Sequence, residues 1–178
     1  MNKVIALLRG INVGGNSILP MKELKVILGE LGCQKVQTYI QSGNVVFETD
    51  FSNLSEFSLL LRSAINTRFG FEPFVFLMNV DKLQDAVLKN PFPVDAANEN
   101  ALHIGFLAGI PSNPDLQKLD GLRTQSEKFQ LIDDLYYFFA PDGVGRSKFA
   151  ANIERFLGVP ITDRNLRTVK KVLELTKN

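Results

Sequence analysis

The chain reads as an α+β protein, with a ferredoxin-like first half in the order β-α-β-β-α-β and a second α+β half in the order β-α-β-β-α-α. Three observations predict this. Short apolar runs of strand length alternate with segments whose apolar residues recur at helical spacing. Adjacent strand-like runs are split by two or three turn residues, as in hairpins. The first six elements follow the split βαβ succession.

Taken in order, Lys3 to Leu8 (KVIALL) is a continuous apolar run, as expected of a strand buried on both faces. Pro20 precedes MKELKVILGELG, in which Met21, Leu24, Ile27, Leu28 and Leu31 recur at helical spacing and Gly32 takes the C-terminal cap position. KVQTYI and NVVFET are rich in β-branched and aromatic residues and are separated by Gln41-Ser42-Gly43, a hairpin signature. Asn53 with Glu56 resembles a capping box. It opens a helix with a stripe of Leu54, Phe57, Leu61, Ala64, Ile65 and Phe69, ended by Gly70; Pro73 then leads into the strand FVFLM.

In the second half, VDKLQDAVLKN is a helix stopped by Pro91, PFPVDAANEN is a linker and ALHIGFLAG is a strand. Ser112 with Asp115 fits a capping box for a short helix, and KFQLI and LYYFFA form a hairpin across Asp133-Asp134. SKFAANIERFLG is a helix ending at Gly158, and Thr162 or Asp163 caps the last helix. The domain reading is a subdomain at 1–79, a helix and linker at 80–100, and a second subdomain at 101–178 with a basic C-terminal helix.

Composition narrows the functional classes. A net charge of +1 provides no strong global field for nucleic acid or acidic membranes. One cysteine, Cys33, and one histidine, His103, exclude an internal disulfide and the usual zinc sets, so no metal centre is expected. The N-terminal apolar run is five residues, too short for a signal peptide, and no run reaches the length of a membrane span; a cytoplasmic location is expected, with no membrane partner.

The chemistry concentrates in turns. LRGINVGGN carries Arg9, Asn12, Gly14 and Gly15 after the first strand. No Gly-Lys-Ser/Thr follows the glycines, and their spacing is not that of a dinucleotide fingerprint, so no nucleotide cofactor is expected. The loop is either an anion-binding turn or a wide turn that needs glycine for positive φ. Right-handed crossover in a split βαβ unit brings it to the sheet edge that holds Tyr39, Gln41, Ser42 and Asn44, with Glu72 and Pro73 approaching the same edge. An arginine, amides and a hydroxyl together suit an anionic small molecule or a nucleic-acid end. An RNA-recognition module is disfavoured, because Asn44 and Val46 stand where its aromatic residues are needed. In PDGVGRSKF, Arg146 and Ser147 stand at a helix start, and in TDRNLRTVKK, Arg164, Asn165 and Thr168 extend the set. Two alternatives stand beside ligand binding. One is an enzyme acting on a phosphate- or carboxylate-bearing substrate at the same cleft, with Glu72, Asp142 or Asp163 as its base. The other is a homo-oligomeric interaction module with a phenylalanine-rich surface.

Four blocks, ALLRGINVGGN, TYIQSGNVVFE, PDGVGRSK and TDRNLRTVKKVLEL, resemble in this order the bacterial family known as domain of unknown function 1697. The resemblance spans nearly the whole chain and implies a bacterial cytoplasmic α+β protein with no assigned reaction. Arg9, Asn12, Gly14, Gly15, Tyr39, Gln41, Ser42, Gly43 and Asn44 match its front motifs. Arg146, Ser147, Arg164, Asn165 and Thr168 match its rear ones. Asp163 and Leu166 stand where the family has a small residue and a tryptophan, which argues against a stacking role at Leu166.

Overall fold

Among the described residues eight strands and six α-helices form, most of them where the apolar periods place them. The computed structural model describes residues 1–177. It divides into two compact units, residues 1–84 together with the stretch from Lys171, and Asp85–Lys170. The fold is mixed α+β, with one four-stranded antiparallel sheet in each unit.

The first unit contains β1 (Asn2–Arg9), α1 (Met21–Glu30), β2 (Gln34–Tyr39), β3 (Asn44–Thr49), α2 (Leu54–Phe69) and β4 (Phe74–Asn79), in sheet order β2-β3-β1-β4. Along β1, Val4, Ala6 and Leu8 point to the helices and join Leu24, Ile27, Leu28, Phe57, Leu61 and Ile65 in one core. Ile5 and Leu7, which alternate with them, are also buried, as the continuous apolar run requires. Asn53 caps α2 by accepting from the Ser55 and Glu56 amides, and Gly70 ends it in the left-handed conformation. Cys33 lies buried beside the end of α1.

The second unit has β5 (Leu102–Leu107), α4 (Leu116–Asp120), β6 (Lys128–Ile132), β7 (Leu135–Phe139), α5 (Ile153–Leu157) and β8 (Ile161–Asn165), in sheet order β6-β7-β5-β8. This repeats the strand order of the first unit. Leu119, Tyr136, Phe138, Phe149, Ile153 and Leu157 form its core. Two helices cross the unit boundaries: α3 (Val80–Leu88), which follows β4 directly, and α6 (Leu166–Leu175), which follows β8.

β8 corrects the expected order of the second half, which is β-α-β-β-α-β-α. Thr162 and Asp163 do not cap a helix; they pair with Phe106 and Gly105 along β5. Backbone pairing with β5 overrides their turn chemistry, and Asn165 takes the cap by accepting from the Thr168 amide at 2.9 Å. Two further expectations shift. The segment from Ser147 to Gly158 is not one helix but a short 3₁₀ turn at Ala150–Asn152 followed by α5, with another 3₁₀ turn before it at Val144–Arg146. Asp115, rather than Ser112, caps α4 by accepting from the Lys118 amide at 3.1 Å.

Candidate functional site

In the first unit the two polar turns meet. β1 is antiparallel to both β3 and β4, so Leu7 lies opposite Asn44 and Arg9 opposite Phe74. The hairpin after β2 therefore reaches the C-terminal end of β1, and the Leu8 amide donates to the Gly43 carbonyl at 2.8 Å. A Cβ on Gly43 would stand 2.6 Å from that of Leu8, and its φ is +74°. Only glycine fits this approach.

Asn12 ties the turns together. Its Nδ2 donates to the carbonyls of Leu19, at 2.9 Å, and Gln41, at 2.7 Å, while its Oδ1 accepts from the Leu19 amide at 2.8 Å. Its backbone amide donates to the Ser17 carbonyl at 3.1 Å. Asn12 itself sits at φ 55°, a left-handed conformation that asparagine tolerates well. Between these anchors, Val13 and Asn16 pair across Gly14 and Gly15, whose φ values of 59° and 77° are those of a two-residue turn with both central residues left-handed. The glycines are thus explained by the turn, and both are exposed, which presents their backbone at the surface.

The other wall is pinned from beneath. Asn44 is fully buried, and its Nδ2 donates to the Tyr39 carbonyl at 3.2 Å and to Ser42 Oγ at 2.9 Å. Asn12 and Asn44 consequently shape the site, while Arg9, Gly14, Gly15 and Gln41 form its exposed part. Lys171, from the C-terminal part of this unit, is ion-paired with Glu174 at 2.7 Å. Its ammonium is raised above the usual range by its hydrogen bond to Glu174, with a further contribution from Tyr39. Three apolar residues that the turn chemistry did not single out also lie here at the surface: Val13, Ile18 and Ile40. The signal for Ile40 was an isoleucine inside the otherwise polar turn YIQSGN.

The rear candidates belong to the second unit. Arg146 is exposed in its 3₁₀ turn, and the Ser147 hydroxyl accepts from the Ala150 amide at 3.0 Å. Arg164 Nη1 donates to Thr162 Oγ1 at 2.9 Å and to the Asp163 carbonyl at 2.6 Å, and Asn165 caps α6.

The second unit also contains a polar cluster around Asp163, one of the three candidate bases. Asp163 Oδ2 accepts from the Tyr136 hydroxyl at 2.9 Å, and its Oδ1 lies 3.4 Å from His103 Nδ1. Gly105, between them on β5, makes this geometry feasible: a Cβ there would lie 2.0 Å from the Tyr136 ring. Burial pushes the Asp163 carboxyl up, but His103, the Tyr136 hydrogen bond and the charge of Arg164 outweigh it and hold the group below the usual carboxylate range. The other two candidate bases are engaged as well. Glu72 pairs with Arg62 at 2.9 Å, and Asp142 accepts from the Ser126 hydroxyl at 2.9 Å. Among the described residues no group of three or more histidine, cysteine or acidic side chains is placed to hold a metal ion. No helix among them is long and apolar enough to cross a membrane.

Fold and site together define an α+β protein with two four-stranded antiparallel sheets and a pair of interlocked turns at one sheet edge. The chain belongs to the family described as protein of unknown function DUF1697, whose model matches residues 1–137. That match takes in both turns of the first unit; the rear blocks, from Pro141 onward, lie beyond it. Among solved structures, the conserved bacterial protein SP0830 from Streptococcus pneumoniae has a similar fold, with a TM-score of 0.69 at 22% identity and 97% of each chain covered. No curated protein matches the chain.

Proposed function

We propose that the first unit binds a ligand with a terminal phosphate or carboxylate, either a small molecule or a nucleic-acid end, at the turns spanning residues 9–19 and 40–44. One observation carries the reading: the Asn12 side chain bridges the two turns at 2.9 and 2.7 Å and fixes them beside the exposed Arg9. Such a site is organised before the ligand arrives, which lowers the entropy cost of binding. We also read this unit as ferredoxin-like. That reading is supported by its element order and by the sheet order β2-β3-β1-β4. Binding on this reading rests on the first unit alone.

Calorimetric titration of the full chain with inorganic phosphate, a 5′-phosphorylated oligonucleotide and its unphosphorylated counterpart tests the proposal. The phosphorylated probes are expected to bind and Arg9→Ala to weaken them by about 1.5–3 kcal/mol, the range for a hydrogen bond to a charged group. Equal binding of both oligonucleotides would favour the bases over the terminal phosphate. Unchanged affinity in Arg9→Ala would remove the anchor from the proposal.

The Asp163 cluster supports a second reading, an enzyme using acid–base chemistry on a phosphate- or carboxylate-bearing substrate. An ionised carboxylate 3.4 Å from His103 Nδ1 is placed to orient that imidazole for proton transfer, although its lowered pKa makes it a weak base itself.

A further inference from the structure

We propose that the ligand of the paired turns is amphiphilic, with its anion at Arg9 and an apolar body lying on Val13, Ile18 and Ile40. The inference rests on the binding reading above and adds the chemistry of the ligand's other half. Ile40 has a φ of 50°, left-handed backbone that is costly for a β-branched residue. The residue is 53% exposed. Glycine or asparagine would suit this turn without strain, and either would spare the surface an apolar group. An isoleucine here is therefore unfavourable to folding on two counts, and contact with an apolar ligand accounts for both.

Val13 and Ile18 share the pattern, at 69% and 54% exposure. Single exposed apolar residues are ordinary, but these three each neighbour, along the chain, Asn12 or a residue bonded to it. Val13 follows Asn12 in the chain. Ile18 lies between Ser17 and Leu19, both bonded to Asn12, and Ile40 precedes Gln41, the third partner. The hydrogen bonds that lock the turns thus hold all three residues on segments tied to Asn12, three residues along the chain from Arg9. The occupant this fits is a small molecule. Three apolar side chains and one cation fall far short of the roughly 20–30 residues a side of a stable protein interface. They do match a short apolar body joined to a single charged end.

The test compares hexyl phosphate with inorganic phosphate by calorimetry on the full chain, in wild type, Arg9→Ala and Ile40→Asn. Hexyl phosphate is expected to bind wild type at least tenfold more tightly, since covering roughly 55 Å² of apolar surface corresponds to that factor. Ile40→Asn should lose most of this preference and melt about 2–4 °C higher through relief of the backbone strain. Arg9→Ala should weaken both probes. Equal affinity of wild type for the two probes, or an undiminished preference in Ile40→Asn, would overturn the amphiphile while leaving anion binding in place. Failure of both probes to bind wild type would remove the anion reading and this inference together. A lower melting temperature for Ile40→Asn would show that the fold requires the isoleucine, and would also overturn the inference.

Discussion

Asp163 and Tyr137 show how single groups tie the second unit's stability to pH. The folded carboxyl of Asp163 titrates below its unfolded value, near 4 for an aspartate. Its contribution is therefore complete above about pH 4 and is lost as pH falls through the depressed folded value. Tyr136→Phe, which removes one donor, should move that acid loss upward in pH. It should also cost about 1 kcal/mol at pH 7, a modest figure because the Asp163 side chain is 39% exposed. Urea midpoints at pH 7 and pH 3 measure both effects. Tyr137 behaves oppositely. Burial, reinforced by the charge of Asp85, pushes its hydroxyl up to about 12, and that hydroxyl donates to the Ala86 carbonyl at 2.7 Å. Stability should fall as pH rises from about 10, the unfolded value, through about 12. Tyr137→Phe should abolish that alkaline slope while costing about 1–2 kcal/mol at neutral pH, because the Ala86 carbonyl loses its donor.

At the scale of elements, β5 and β8 depend on a residue with no side chain. Gly105 lets the Tyr136 ring cross β5 to reach Asp163, so Gly105→Ala should displace the ring and destabilise by about 1–3 kcal/mol, as overpacking does. Combining it with Tyr136→Phe separates the steric loss from the lost hydrogen bond in a double-mutant cycle on urea midpoints. β8 also shows where sequence patterns stop being informative. ITDRN has no run of apolar residues, and only Thr162 in it is buried. Its strand character comes from pairing with β5, a contact distant in sequence, while its threonine and aspartate imitate a helix start. By contrast β1, β3 and β7 were legible because their burial on both faces writes continuous apolar runs into the chain. The hairpins were legible from their turn residues. The meeting of the two first-unit turns followed from element order and handedness alone. The roles of Asn12 and Asn44 did not, since an amide that shapes a loop and one that faces a ligand look the same in sequence.

At the scale of the whole molecule, one strand order occurs twice without a sequence repeat, and the two copies differ in what they expose. The first unit presents a glycine turn, an arginine and three apolar side chains at the end of β1. The second places a carboxylate, an imidazole and a phenol together on its sheet. The family match covers the first unit's turns and fixes the protein's kinship, while a likeness at 22% identity concerns its fold. Binding at the locked turns beside Arg9 is the function proposed for the first unit. The decisive measurement is calorimetric titration of the full chain with hexyl phosphate, in wild type and Arg9→Ala. Saturable one-to-one binding is expected, weakening about 10- to 150-fold in the variant, the equivalent of 1.5–3 kcal/mol. An isotherm with no binding in wild type, or the same affinity in both proteins, would contradict it.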